Sequence, residues 1–227
     1  MIQWHAGEGE DYPMEGTLET VVFRDFVERG LALPVSEFFY ALLQFSGIQL
    51  HHLTPQSILH LSIFTHFCEA FLGVLPLFHL FQHFFILVSI PNTSKPAVVG
   101  GYELVLHPET GDEYLSYDPD GKGFEWKSFW FHVENFESPL PERSPSAPQV
   151  RACWSSTGLG GGQVTCLLNT IAKLKEEGIT GDHVVFSFVS HRTLQHTIYS
   201  ATESFCRRSL KIRRNSVSAT VSNFVVD

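Results

Sequence analysis

The chain has 227 residues, of which 44% are apolar, and a formal net charge of −9 at pH 7. This length and composition predict a globular protein with one domain of ordinary size and a smaller additional unit, and they exclude a disordered chain. Its four cysteines are too few for a disulfide framework, and its first residues lack the basic and apolar regions of a secretory signal, so we expect an intracellular protein of the cytoplasm or nucleus.

The chain begins with an acidic arm. Residues 1–19 carry five acidic groups and no basic one, which predicts a disordered or loosely docked segment. Over residues 20–30 apolar side chains recur at helical spacing, and we predict a helix there. Ser36 is the candidate N-cap of a second helix, which runs to about Phe45.

The stretch 38–90 is unusually apolar, and Glu69 is its only formally charged residue. So much apolar surface must be buried in a protein core, a partner or a bilayer. Thr54 and Pro55 combine a hydroxyl cap with a proline suited to the first helical position, so they predict a central helix over 55–72.

After this helix the pattern changes from helical to β. A further helix is predicted over 77–88, and then short runs of β-branched and aromatic residues predict a small antiparallel β-meander over 97–135. A Pro/Gly-rich linker is predicted over 136–163, a helical segment over 164–205 and a basic tail over 206–227.

Together these elements predict a mainly α fold with a small antiparallel β-meander, of the α+β class. A helical bundle over 20–90 and the meander form one domain over 20–135. The C-terminal helical segment follows it across the linker.

The histidines raise the question of a metal site. Zinc normally needs three or four nitrogen or sulfur ligands with ordered acceptors behind them, and the HExxH and paired CxxC patterns that provide such ligands are missing. We therefore predict no metal site and interpret the histidines as partly buried side chains that cap helices or bond backbone carbonyls. The candidate ligands are His51, His52, His60, His66, Cys68, His79 and His83.

No motif predicts catalysis or a cofactor. The run GLGGG at 158–162 superficially resembles a phosphate-binding loop, but no Gly-Lys-Ser/Thr follows it, and a flexible hinge is the favoured interpretation. Acidic residues around the predicted meander stand in turn sequences, which favours local hydrogen bonding over acid–base chemistry. These residues are Asp112, Glu113, Asp118, Asp120 and Glu125. We therefore expect a protein that is not an enzyme, with no catalytic or cofactor-binding residue.

The charge changes sign toward the C-terminus. Residues 1–150 hold 6 Lys/Arg against 19 Asp/Glu, whereas residues 151–227 hold 9 against 5. The basic cluster consists of Arg207, Arg208, Lys211, Arg213 and Arg214. It is the candidate nucleic-acid contact, and because aromatic residues are not interleaved with it, only weak phosphate binding is expected. A solvated tail is the alternative.

Residues 71–90 form an uncharged stretch of membrane-spanning length. Pro76 within it and the polar side chains of His79, Gln82 and His83 near its centre oppose a transmembrane helix. A membrane-anchored protein with one transmembrane helix near 71–90 is therefore an alternative that the sequence leaves open and does not favour.

A long, ordered series of motifs carries a family resemblance. It comprises ERGLALP, GIQLHHLTPQSILH and CEAFLG, followed by KPAVVGGYEL, EYLSY and WFHV. Over about 20–135 the chain resembles the gypsy-type transposon domain, which is widespread in plant genomes and is also described as a gypsy-type transposase. The resemblance implies a protein of retrotransposon origin with a gag-like structural role, and it defines no catalytic residue. Relatives tend to have an acidic or polar residue after CEAFLG, where this chain has Leu75.

The expected function is that of a retrotransposon-derived, gag-like assembly protein without catalytic activity of its own. Self-association through apolar helix faces is the main expected interaction, and the basic tail adds a weak nucleic-acid contact. A membrane anchor is the first alternative. A DNA-acting transposase, which would need acidic residues that hold metal ions, is the second and weaker one.

Overall fold

The computed structural model describes residues 4–6, 19–90, 99–115, 117, 126–134 and 161–192. Within these ranges the α-helices are α1 (Arg24–Glu28), α2 (Glu37–Ser46), α3 (Pro55–Phe67), α4 (Phe78–Phe84), α5 (Gly161–Glu176) and α6 (181–192). The strands are β1 (Trp4–Ala6), β2 (Glu19–Phe23), β3 (Phe85–Ser89), β4 (Tyr102–Leu106) and β5 (Trp130–Glu134). A π turn lies at Cys68–Leu72, and 3-10 turns lie at Leu50–His52, Gly111–Glu113 and Trp126–Ser128. The predicted class, mainly helical with a small antiparallel β part, is confirmed.

Capping residues define the helix ends in the apolar stretch, as predicted. Ser36 Oγ accepts a hydrogen bond from an amide in the first turn of α2 at 3.3 Å, and the left-handed Gly47, with φ of 68°, closes that helix. Thr54 Oγ1 accepts from the amide of Ser57 at 3.2 Å, and Pro55 occupies the start of α3. α3 continues into the π turn, and together they span the predicted central helix.

The first sheet has three antiparallel strands in the order β1-β5-β2. The helix predicted over 20–30 is wrong in its first half, because β2 occupies that half and only α1 is helical. Val21, Val22 and Phe23 are consecutive and all buried, which suits a strand covered on both faces and does not suit a surface helix.

The acidic arm contributes β1 to the edge of this sheet. Trp4 lies opposite Val133 of β5, so residues 4–6 follow the docked form of the prediction and not the disordered form. The other residues of the arm before Glu19 lie outside the described residues.

The second sheet has two strands, β3 and β4, with Phe85 opposite Leu106. The helix predicted over 77–88 is correct for α4 and wrong after Phe84. The β-branched and aromatic run of β3 pairs with a strand that lies beyond the next loop, a non-local contact that helical periodicity does not reveal.

The predicted β-meander is divided between the two sheets. β4 pairs with β3, whereas β5 pairs with β1 and β2, so its strands are not joined to each other. The predicted strand EYLSY is a 3-10 turn followed by Tyr114 and Leu115, which are 2% and 4% exposed. Burial of these two side chains in the core replaces strand pairing.

The apolar stretch 71–90 is not one helix, so the transmembrane helix considered there is wrong. The left-handed Gly73, with φ of 66°, ends the π turn, a loop follows, and α4 gives way to β3. In the part of the chain that the structure describes, no helix has the length and apolar character needed to cross a membrane.

Aromatic rings fill the space between the helices and the second sheet. Phe64 is fully buried, and its ring centroid lies 5.0 Å from that of Phe81, 5.7 Å from that of Phe38 and 6.4 Å from that of Tyr114. Much of the apolar surface noted in the sequence is therefore buried within the chain itself.

The predicted domain limits stay predictions. Helices α5 and α6 lie within the predicted segment 164–205, except that α5 begins at Gly161, within the GLGGG run. The tail from residue 206 lies outside the described residues.

Candidate interaction surface

α6 begins at a cap formed by its own first residues. The chain reverses after α5 at Gly178, whose left-handed φ of 88° favours glycine. The amide of Thr180 donates to Nδ1 of His183 at 3.1 Å, and the amide of Val184 donates to the carbonyl of Thr180 at 3.4 Å. Local sequence therefore determines where α6 starts.

The inner face of α6 is apolar and packs on the helical core. Val184 and Phe188, one turn apart, are 1% and 8% exposed. The Phe188 ring lies so close to Gly30 that a Cβ added there would be 2.8 Å from the ring's Cζ. The ring of His66 on α3 lies 5.8 Å from that of Phe188, centroid to centroid. α6 is therefore seated on α3 and on the loop that follows α1.

Arg192 holds the C-terminal end of α6. Its guanidinium donates hydrogen bonds to the carbonyl of Val27, at 2.7 Å, and to the carbonyl of Glu28. Both carbonyls belong to the last turn of α1, where helix carbonyls need donors from outside the helix. The same guanidinium lies over the Phe188 ring, 5.6 Å from its centroid. Arg192 thus joins the end of α6 to the end of α1.

Two histidines meet where α3 contacts α6. Nε2 of His66 shares a hydrogen bond with Oγ of Ser187 at 3.0 Å, and the ring centroid of His191 lies 6.0 Å from that of His66. Burial, and then the charge of His191, lower the pKa of His66. The contact therefore favours the neutral form of His66.

The outer face of α6 exposes large apolar side chains. Phe186 is 76% exposed and Val189 is 52% exposed. They share one side of the helix, because residues three apart are neighbours on a helix surface. We call this pair the outer patch. Scattered apolar residues on a surface are ordinary, whereas a largely exposed phenylalanine beside a second apolar side chain is a candidate interaction site.

The outer patch is not among the residues predicted from the sequence. Its signal is the run HVVFSFV at 183–189, which is apolar around more of the helix than one core-facing stripe requires. Leu75, at 77% exposed, lies apart from it in the loop after the π turn, at the position where relatives tend to be polar. Phe129, at 50% exposed, is covered by the Arg24 guanidinium 4.3 Å from its ring centroid.

The histidines considered as metal ligands take separate partners. Nδ1 of His60 lies 2.6 Å from the hydroxyl of Tyr117, and Nε2 of His83 lies 2.9 Å from a carboxylate oxygen of Glu113. Nδ1 of His52 accepts from a backbone amide at 3.0 Å, that of Gln49. Among the described residues, no three His, Cys, Asp or Glu side chains are grouped so that they could hold a metal ion.

The other candidate ligands differ widely in their surroundings. His51 lies next to His52, with ring centroids 4.2 Å apart, and His79 is exposed on α4. Cys68 is buried, and burial raises the pKa of its thiol to about 12. Because the thiolate is the reactive form, this thiol is a poor nucleophile and a poor ligand.

The acidic residues considered for catalysis have structural roles where the structure describes them. Glu113 pairs with His83 as noted above, and the carbonyl of Asp112 accepts from Nζ of Lys175 on α5 at 2.7 Å. Asp118, Asp120 and Glu125 lie outside the described residues. So does the predicted nucleic-acid contact, which consists of Arg207, Arg208, Lys211, Arg213 and Arg214.

The surface that receives α6 lies between β2 and β3, since it includes the last turn of α1, Gly30 and His66. Residues 21–89 match the family described as "Putative gypsy type transposon". The gypsy-type family predicted from the sequence is therefore confirmed for this gypsy-type segment. α6 lies outside the segment, and the resemblance over 90–135 stays a prediction. No curated protein and no solved structure matches the chain significantly.

Proposed function

We propose that this chain is a retrotransposon-derived, gag-like assembly protein that self-associates through an apolar helix face and has no catalytic activity of its own. The match of the gypsy-type segment supports the transposon origin. The outer patch is the observation that carries the assembly role, because it is apolar surface that the fold leaves in contact with solvent.

The partner of the outer patch is a second copy of the same chain. Asp182 lies in the first turn of α6, and His191 and Arg192 lie in its last. If two copies of α6 pack antiparallel about a twofold axis at the patch, the acidic start of each helix faces the basic end of the other, and the helix dipoles are also opposed. The face is therefore complementary to itself.

The size of the patch indicates a weak association for each contact. Burying one Phe or Val side chain fully stabilises by about 1.5–3 kcal/mol, and association has an entropic cost of at least about 4 kcal/mol. A pair of patches therefore supports assembly at high protein concentration, as suits a structural protein that is held in an array by many contacts.

The basic tail supplies the second part of the proposal, a weak contact with nucleic acid in the cytoplasm or nucleus. The five basic residues would bind phosphates by charge alone, and each phosphate contact raises the salt dependence of binding. Replacing all five by Gln should weaken binding of single-stranded RNA by the full chain and lower its salt slope. An unchanged slope would remove the tail from the proposal.

Light scattering after size-exclusion chromatography tests the assembly role. The full chain is applied without detergent at several concentrations. A mass above that of one chain that rises with concentration supports the proposal. A mass of one chain at every concentration contradicts it, and so does recovery of the protein in detergent alone.

A further inference from the structure

We propose that the seating of α6 on α3 is sensitive to pH, with His66 and His191 as the groups that release it when they become protonated. This inference concerns how α6 is held within one chain, and it does not depend on self-association. Its basis is the position of two histidines and an arginine at the same contact.

The contact gathers cations. The ring centroids of His66 and His191 are 6.0 Å apart, and the next residue after His191 is Arg192, whose guanidinium is bound to the end of α1. At neutral pH only the guanidinium carries a positive charge throughout. When the pH falls from 7.5 to 5, histidines gain charge, and like charges in a partly buried contact repel each other.

The other groups around His66 do not neutralise that charge. From α6, Ser187 is hydrogen-bonded to Nε2 and the apolar ring of Phe188 lies alongside. From the π turn, the apolar ring of Phe71 lies 6.2 Å away, centroid to centroid. The charged groups on the elements packed here are Glu69 on the π turn, Asp182, His183, His191 and Arg192 on α6, and Asp25 and Glu28 on α1.

The nearest carboxylates have other positions. Glu69 is exposed, and Glu28 acts on Arg192, whose pKa it raises against the lowering effect of burial. Among the charges, that of His191 lowers the pKa of His66, in the same direction as burial. The sign follows: a lowered pKa in the folded chain means that stability is lost as the pH falls below the ordinary histidine value.

The hydrogen bond to Ser187 makes the effect electrostatic and not a matter of lost bonding. Protonated His66 could still donate to the serine hydroxyl, so the bond does not resist or drive release by itself. A glutamine at position 66 can keep a hydrogen bond to Ser187 without ever gaining charge. That makes His66→Gln the informative substitution, with His191→Gln as the second.

Hydrogen exchange read by mass spectrometry tests the proposal on the full chain. Rates are corrected for the intrinsic effect of pH, and peptides from α6 are compared with peptides from α3 at pH 7.5 and 5.5. We expect α6 to lose protection at pH 5.5 while α3 keeps it. His66→Gln and His191→Gln should each reduce that loss, and the exposed His79→Gln should leave it as in the parent.

Two results would overturn the inference. One is equal protection of α6 at both pH values, or a loss shared evenly by α3 and α6, which would point to global unfolding. The other is a loss in α6 that neither His66→Gln nor His191→Gln reduces. Because exchange in α6 is measured within each chain, these outcomes are independent of whether the protein assembles.

Discussion

The guanidinium of Arg192 donates to the carbonyl of Val27 at 2.7 Å, although the two residues lie 165 positions apart in the chain. This bond closes the helical part of the fold, because it ties the last described turn of α6 to the end of α1. The gypsy-type segment provides the carbonyl, and the region beyond it provides the arginine. The two parts of the chain are therefore joined at one identifiable contact.

Replacing Arg192 by Ala should weaken that contact. Two hydrogen bonds to carbonyls and the contact with the Phe188 ring are lost, and we expect a loss of about 1–2 kcal/mol in the free energy of unfolding. Urea denaturation measures it. Arg192→Lys keeps one charged donor and should lose less. Equal stability of the parent and the alanine variant would show that the contact contributes nothing.

Gly30→Ala tests the seat of α6 from the opposite side. Gly30 has φ of 106°, and an added Cβ would lie 2.6 Å from Oγ of Ser62 and 2.8 Å from Cζ of Phe188. Backbone strain alone costs about 1–2 kcal/mol, and displacement of the Phe188 ring adds to it. Gly73→Ala is the matched control, because Gly73 has φ of 66° and no atom within 4 Å of the added Cβ.

The two glycine variants are compared by thermal unfolding and by limited proteolysis near α6. We expect Gly30→Ala to lower the midpoint more than Gly73→Ala and to speed cleavage in α6. If both variants behave alike, the close fit of Phe188 against Gly30 has no energetic weight.

Phe64→Ala should destabilise the protein more than any surface change. Its ring is fully buried among Phe38, Phe81 and Tyr114, so truncation leaves a cavity with a loss of about 3–5 kcal/mol. Phe186→Ala removes the same side chain from an exposed position and should change the stability of one chain by less than about 0.5 kcal/mol. Denaturation at low protein concentration measures both. Similar losses would contradict the burial assigned to the two rings.

His60 should make stability depend on pH. Burial lowers its pKa to about 4, so the folded chain resists protonation that the unfolded chain accepts near pH 6.5. Stability is fully present above pH 6.5 and falls as the pH drops toward about 4, by roughly 3 kcal/mol in all. His60→Gln, which can still bond Tyr117, should flatten that fall. Denaturation at several pH values tests it, and an equally steep fall in the variant would contradict it.

Much of the fold could be predicted from sequence because its signals are local. Ser36, Thr54 and Pro55 identify two helix starts by capping chemistry, and Gly47 and Gly73 identify two ends. Each of these residues acts on amides or carbonyls within a few positions of itself. The family resemblance likewise depends on contiguous motifs.

The errors arise where a distant partner decides the structure. The residues of β3 continue the apolar pattern of α4, and only pairing with β4 makes them a strand. β2 is a strand because β5 lies beside it. Periodicity within a short window contains no information about either partner.

The candidate surface was predictable in kind but not in position. Apolar helix faces were expected to mediate self-association, yet the apolar stretch that suggested them is largely buried. Which side of α6 faces outward depends on His66, Gly30 and the end of α1, all distant in sequence. The outer patch therefore required the structure.

Sedimentation velocity of the full chain tests the central claim most directly. The parent is compared over a concentration series with the double variant Phe186→Gln, Val189→Gln and with the control Leu75→Gln, which changes an equally exposed apolar residue elsewhere. We expect the parent and the control to associate as concentration rises and the double variant to remain a single chain. Association of the double variant equal to that of the parent would contradict assembly through the outer patch.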